Sequence, residues 1–161
     1  MVAVAFLLGV AVAIPARAWM RLISPDPEFS WGGTLMIAVG FGLLFAGAGL
    51  CFAAYRRGWS RRATRLARVV GCVLILPAFG GAGLLAFPSV LAGGLALAHP
   101  RWPRVLRLAL AVLAAGAALA TIGTIPGGGL HPVRATIGIV LYPVLLWPLI
   151  LAARIPLSPR P

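Results

Sequence analysis

The sequence contains no lysine, asparagine or glutamine, and its only acidic residues are Asp26 and Glu28. Charged residues make up 10% of the 161 positions, whereas a soluble globular domain carries about 25%. This shortage of charge excludes an ordinary soluble domain and a disordered chain. The missing residue types indicate the codon bias of a GC-rich bacterial genome.

Cysteine and histidine are also scarce, with two of each. Cys51 and Cys72 flank an arginine-rich segment, and we expect two free, small, buried thiols near one face of the membrane. His99 and His131 share no ligand spacing with each other or with the cysteines, such as CxxC or HxxxH. The sequence therefore predicts no metal site and no cofactor.

Apolar residues dominate what is present: 61% of the chain is hydrophobic and the mean hydropathy is +1.04. One helix needs about 20 apolar residues to cross the hydrocarbon core of a bilayer. The sequence thus predicts an all-α, polytopic integral membrane helical bundle of four or five spans, forming a single transmembrane domain over residues 1–161. The predicted spans are about 2–20, 32–55, 69–98 (broken by Pro and Gly), 105–125 and 135–153.

The charge is one-sided, with fourteen arginines and a net charge of +12. Short loops rich in arginine stay in the cytoplasm, so we expect the 56–68 loop to be cytoplasmic and the protein to lie in the bacterial cytoplasmic (inner) membrane. Arginines at this position also attract anionic lipid headgroups. No basic domain accompanies them, and no nucleic-acid partner is expected. The predicted headgroup contacts are Arg56, Arg57, Arg61, Arg62, Arg65 and Arg68.

The segment 69–98 allows two arrangements. A single crossing would divide the fourteen arginines equally between the two sides, whereas a re-entrant hairpin would gather eleven on the side of the 56–68 loop. The charge rule favours the hairpin. Thirty residues are too few for two complete crossings, and non-helical backbone is tolerated at membrane depth only where protein or water covers it. Both arrangements stay open, with the hairpin preferred.

Aromatic residues mark the ends of the apolar runs. Trp19, Trp31, Trp59 and Trp102 all lie at predicted span boundaries. Tryptophan is enriched at both membrane–water interfaces, so the sequence predicts that these four side chains form an interfacial belt.

The predicted external segment 21–31 contains both acids. Two neighbouring carboxylates raise one another's pKa, which suits a general acid or base, so Asp26 and Glu28 are the candidate catalytic residues. Arg17, Arg21 and Trp31 would orient a substrate or lipid beside them. The competing interpretation is structural: the two acids pair with Arg17 and Arg21 and hold the first two helices together.

Three functions are compatible with these features. The first is an accessory subunit or scaffold that packs with a partner protein or a second copy, because glycine-rich spans permit close helix packing. The second is a membrane-embedded enzyme that acts on an isoprenoid or lipid through Asp26 and Glu28. The third is a small channel or carrier whose path follows the broken segment 69–98. The sequence favours the first and does not decide whether the protein is an enzyme.

Overall fold

The computed structural model describes residues 1–24, 30–79, 86–125 and 131–158. Its described part is all-helical, and four helices are long and apolar enough to span a membrane. The prediction of a helical membrane bundle is therefore confirmed. The elements are α1 (Val2–Ile23), α2 (Trp31–Arg56), α3 (Arg61–Val73), a short 3₁₀ turn (Leu76–Phe79), α4 (Phe87–Ala98), α5 (Arg104–Thr124) and α6 (Pro132–Leu157).

The first two helices form a tightly packed antiparallel pair. A Cβ atom built on Gly9 would lie 2.8 Å from the carbonyl carbon of Phe41, so the two backbones touch at this point. Near the start of α1, the Cβ of Ala5 fills the space beside Gly49. Small residues allow such close approach, which drives helix association in lipid, where burial of apolar surface contributes little.

The chain reverses direction within residues 69–98. At the start of the segment, Arg68 Nε donates a hydrogen bond to the carbonyl of Pro156 (3.3 Å). At its end, Ser158 Oγ donates to the carbonyl of Ala98 (3.0 Å). Both ends of the segment therefore lie beside the last residues of α6. Of the two arrangements that the sequence left open, the structure has the re-entrant hairpin.

The hairpin reaches only part of the way along the long helices. Its first arm, formed by α3 and the 3₁₀ turn, packs antiparallel to α2. Gly71 approaches Gly47, and the carbonyl oxygen of Pro77 would lie 2.7 Å from a Cβ on Gly40. Its second arm, α4, packs along α6 and returns to the end of the bundle where α6 ends, with Gly94 against Ala153. The described part of the break, the 3₁₀ turn, packs on α2 with Ala78 and Phe79 buried, and coverage by protein is the condition for irregular structure at membrane depth.

This reversal gathers the positive charge at one end of the bundle. α2, α4 and α6 end there, and α3 and α5 begin there. Arg17, Arg21 and Arg134 are the described arginines at the opposite end. We call the first the arginine-rich end; its described arginines are Arg56, Arg57, Arg61, Arg62, Arg65, Arg68, Arg101, Arg104, Arg107 and Arg154.

The prediction that 56–68 is a loop is only partly correct, because Arg56 ends α2 and α3 begins at Arg61. Residues from Arg61 onward belong to α3, and the hydroxyl of Ser60 caps this helix by accepting a hydrogen bond from Ala63 N (3.3 Å). Arginine is a good helix former, and a serine cap satisfies one of the free N–H groups of the first turn. Six arginines in thirteen residues are typical of a charged loop, so the density of charge gave no sign that a helix begins at Arg61.

Candidate functional site

A hollow of about 510 Å³ lies at the arginine-rich end, between the end of α2 and the start of α3. Three of its lining residues are arginines, and two more are aromatic. We call it the arginine hollow; it is lined by Ala54, Tyr55, Gly58, Trp59, Arg61, Thr64, Arg65 and Arg68.

A glycine turn shapes one wall of the arginine hollow. Gly58 has a φ of +62°, in the left-handed region that favours glycine. Its N–H donates to the carbonyl of Tyr55 (3.1 Å), and the N–H of Trp59 donates to that of Ala54 (3.0 Å). This pair of bonds is the Schellman motif, which satisfies the last carbonyls of a helix. It ends α2 sharply and places Trp59 at the edge of the hollow.

The arginines come from one side of α3. Arg61, Arg65 and Arg68 are spaced i, i+4 and i+7, which places them on one face of a helix. A second face contains the small buried residues Ala67 and Gly71 and packs on α2, where Cys51 Sγ contacts the carbonyl of Ala67 (3.4 Å). All three arginines line the arginine hollow, and guanidinium groups suit multidentate binding of a phosphate or another anion.

The third face of α3 is apolar and exposed. Leu66, Val69 and Val73 are 65%, 60% and 56% exposed, and Arg62 lies on the same side. Exposed apolar side chains of this kind suit contact with lipid chains, and a long cationic side chain beside them can lie along the apolar surface with its charge in a polar environment. α3 therefore presents apolar and cationic faces side by side at one end of the bundle.

Of the six arginines predicted to contact headgroups, the structure brings three into the arginine hollow. Arg57 and Arg62 lie outside it and are exposed. The guanidinium carbon of Arg56 lies 5.9 Å from the ring centroid of Phe52, a cation–π distance. The contact of these six arginines with headgroups stays a prediction. The helical register of α3 separates Arg62 from Arg61, Arg65 and Arg68, whereas Arg56 and Arg57 precede this helix.

The predicted acid/base residues, Asp26 and Glu28, lie outside the described residues, and their catalytic role stays a prediction.

The predicted orienting residues are divided between two places. Arg17 reaches the start of α2, with Nη2 3.7 Å from the position of a Cβ on Gly33. The carbonyl of Arg21 accepts a hydrogen bond from Arg134 Nη2 (3.3 Å). Trp31 is 73% exposed at the first residue of α2.

A second space, of about 340 Å³, lies between helices nearer the opposite end. We call it the interhelical cavity. It adjoins the 3₁₀ turn of the hairpin, and most of its surface is apolar. It is lined by Ala16, Trp19, Met20, Ile23, Ser24, Phe41, Ala78, Phe79, Ala86, Thr121, Thr124, Ile125, Tyr142, Leu145, Leu146 and Leu149.

Trp19 forms part of this cavity and is not in the predicted interfacial belt. It is only 9% exposed, and its Nε1 donates a 2.7 Å hydrogen bond to the carbonyl of Gly138 on α6. Its ring lies 5.1 Å from that of Tyr142, with an angle of 30° between the planes. The position near a span end was predicted correctly, but a tertiary hydrogen bond turns the indole inward.

Among the described residues, no group of three or more His, Cys, Asp or Glu side chains could hold a metal ion. Both cysteines are free thiols.

Comparison with known proteins found no matching family model, curated protein or solved structure.

Proposed function

We propose that this chain is an accessory subunit or scaffold of the bacterial cytoplasmic membrane, fixed to anionic lipid headgroups by the arginine hollow. The observation that carries the proposal is the convergence of Arg61, Arg65 and Arg68 beside Tyr55 and Trp59. Arginine forks bind phosphate oxygens bidentately, and aromatic rings stabilise a lipid-exposed protein at headgroup depth. The same site fits a lipid phosphate better than a soluble anion because α3 also presents an apolar face to the bilayer.

The proposed orientation places the arginine-rich end in the cytoplasm. Ten described arginines lie at this end and three at the other. Positive charge in short segments resists translocation, so the asymmetry supports this sidedness. Segment 21–31 would then be external.

The orientation is tested by labelling single cysteines in intact cells with a membrane-impermeant maleimide, in a Cys51→Ala, Cys72→Ala background. Trp31→Cys and His131→Cys should react. Arg57→Cys, Arg101→Cys and Arg154→Cys should react only after the membrane is opened. Labelling at position 101 without labelling at position 57 in intact cells would contradict the hairpin topology as well as the sidedness.

The scaffold part of the proposal is supported by α5. This helix packs mainly on α4, and Ala114 and Thr121 are its buried residues. Its outward surface carries Gly116 and Gly123, and no atom lies within 4 Å of a Cβ built on either. Small residues are typical of helix–helix interfaces in membranes, so this face suits another transmembrane helix, from a partner or a second copy.

The proposed function is tested by native mass spectrometry of the full chain released gently from its own membrane. We expect a complex that contains a second protein or a second copy at fixed stoichiometry and retains anionic phospholipid. A monomer without retained phospholipid would overturn both parts of the proposal. A monomer with a single recurrent isoprenoid would instead favour a lipid-modifying enzyme or a carrier.

A further inference from the structure

The interhelical cavity has a lining that suits one kind of ligand. None of the described residues that line it is charged. Several of its polar groups already have partners: Trp19 Nε1 donates to the carbonyl of Gly138, and Thr121 Oγ1 donates to that of Ala117 (3.0 Å). Thr124 Oγ1 donates to the carbonyl of Thr121 (2.7 Å). These donors are committed to the protein backbone, whereas the buried Tyr142 hydroxyl has no hydrogen-bond partner in the part of the chain that the structure describes. Because the described lining is otherwise mostly apolar, it favours a hydrocarbon ligand.

The size of the cavity also favours occupancy. Its volume of about 340 Å³ falls within the range of known small-molecule pockets, which is roughly 300–1,000 Å³. Apolar cavities remain dry, and side chains around an empty space lose their van der Waals contacts on that side. In a bilayer the surrounding solvent is itself hydrocarbon, and its chains are available at this depth to restore those contacts.

A route into the cavity is present at α5. The end of this helix contributes Thr124 and Ile125 to the lining, yet α5 makes few contacts with α6 and packs mainly on α4. Thr124 is exposed, and Leu145 on the facing part of α6 is only partly buried. α5 is thus held to α6 by few contacts, and we expect its exposed residues to face lipid chains.

We propose that the interhelical cavity binds one hydrocarbon chain of a membrane lipid, inserted past α5 from the leaflet opposite the arginine-rich end. The chain contacts Trp19 on α1 and the face of α6 that carries Tyr142, Leu145 and Leu149. This site is separate from the arginine hollow, and it does not depend on the proposed scaffold function.

The experiment uses Trp19 as the reporter, because a lipid chain inside the cavity lies against its ring. Trp31, Trp59, Trp102 and Trp147 are replaced by phenylalanine, and the chain is reconstituted into phosphatidylglycerol vesicles with brominated acyl chains. We expect bromine to quench Trp19 to an extent comparable with a lipid-facing tryptophan at the same depth. The matched reporter is Ala18→Trp with Trp19→Phe, since Ala18 is the neighbouring exposed position on α1.

Two further variants connect the quenching to the cavity. Thr124→Phe fills the space from α5 and should reduce the quenching of Trp19 without changing that of the tryptophan at position 18. Leu119→Phe adds a ring on the exposed side of α5 and should change neither signal. The proposal is overturned if Trp19 is not quenched while position 18 is, or if the two phenylalanine variants act alike.

The unaltered chain provides a second measurement if the tryptophan-reduced protein does not fold. Phospholipids that carry a diazirine in the acyl chain are activated in vesicles, and the adducts are located by peptide mass spectrometry. Adducts at Tyr142 and Leu149, which line the cavity and are buried, support an occupied cavity. Adducts confined to outward-facing residues such as Val144 and Leu119 contradict it.

Discussion

Leucine in place of Gly9 should separate α1 from α2 and lower the free energy of unfolding by about 3 kcal/mol or more, at the upper end of the cost of overpacking a core. A Cβ at this position would lie 2.8 Å from the Phe41 carbonyl carbon and 2.9 Å from the Cα of Gly42. These are backbone atoms, which cannot rotate away as a flexible side chain can. The loss is measured as thermal unfolding of the purified chain in detergent, and as the fraction that elutes as a single species.

The matched control is Gly116→Leu, the same substitution in the middle of α5. A Cβ on Gly116 meets no atom within 4 Å. Removing a glycine from a helix interior stabilises it by about 0.5–1 kcal/mol, so the isolated chain should be unaffected or slightly more stable. Equal losses from the two substitutions would contradict the close packing of α1 on α2. If α5 binds another helix as proposed, Gly116→Leu should reduce the amount of partner recovered while the chain itself stays folded.

The helical membrane class follows from composition alone, because apolar runs of about 20 residues have few other stable structures. The reversal within 69–98 was also accessible from the sequence, through the distribution of arginines on either side of it. That count works because each arginine carries a cost of translocation, whatever its tertiary contacts. Where the hairpin turns is not visible from charge, since it depends on which glycines of α2 meet Pro77 and Gly71.

The sequence predicted the segment that contains the arginine hollow but not which of its arginines line it. The six arginines of segment 56–68 are conspicuous, but their separation into two groups depends on α3 beginning at Arg61. Serine is a common N-cap residue, so Ser60 allows a helix to be predicted from Arg61 onward. That helix would place Arg61, Arg65 and Arg68 on one face. The interhelical cavity, in contrast, combines α1, α2, α5, α6 and the hairpin, whose residues are far apart in sequence. Periodicity within one helix contains no information about such a space.

Trp19 illustrates the same limit. An indole near the end of an apolar run usually lies at the interface, and nothing near Trp19 in the sequence departs from that pattern. Its actual partner, the carbonyl of Gly138, is 119 residues away. A backbone carbonyl is available there because Gly138 has no side chain to shield it.

Changing Arg61, Arg65 and Arg68 together to glutamine should weaken the binding of anionic phospholipid roughly 100-fold. A hydrogen bond to a charged group contributes about 1.5–3 kcal/mol, so losing the phosphate contacts of the three arginines should cost about 3 kcal/mol or more. Every 1.4 kcal/mol corresponds to about a tenfold change in the dissociation constant. The measurement is a titration of phosphatidylglycerol into the delipidated full chain, followed by native mass spectrometry, with phosphatidylcholine and inorganic phosphate as reference ligands.

The control removes the same charge elsewhere at the arginine-rich end, through Arg57→Gln, Arg62→Gln and Arg104→Gln. None of these three lines the hollow. If the hollow is a true site, the control should lose much less affinity, because only a general surface potential has changed and salt screens that potential over about 10 Å. Equal losses in the two triple variants would show that the arginines act as a diffuse charge without a defined site.

Arg68 needs separate treatment because its Nε also holds the start of the hairpin to the carbonyl of Pro156. A loss of binding in the triple variant could therefore follow from a displaced α3. The double variant Arg61→Gln, Arg65→Gln retains this anchor and should still lose roughly tenfold or more, because it removes two of the direct contacts with the phosphate. Unchanged binding in the double variant would assign the effect to the position of α3 and remove the hollow as a headgroup site. Strong binding of inorganic phosphate by the parent chain would instead assign the site to a soluble anion, because a lipid site depends on the exposed apolar face of α3 as well as on its arginines.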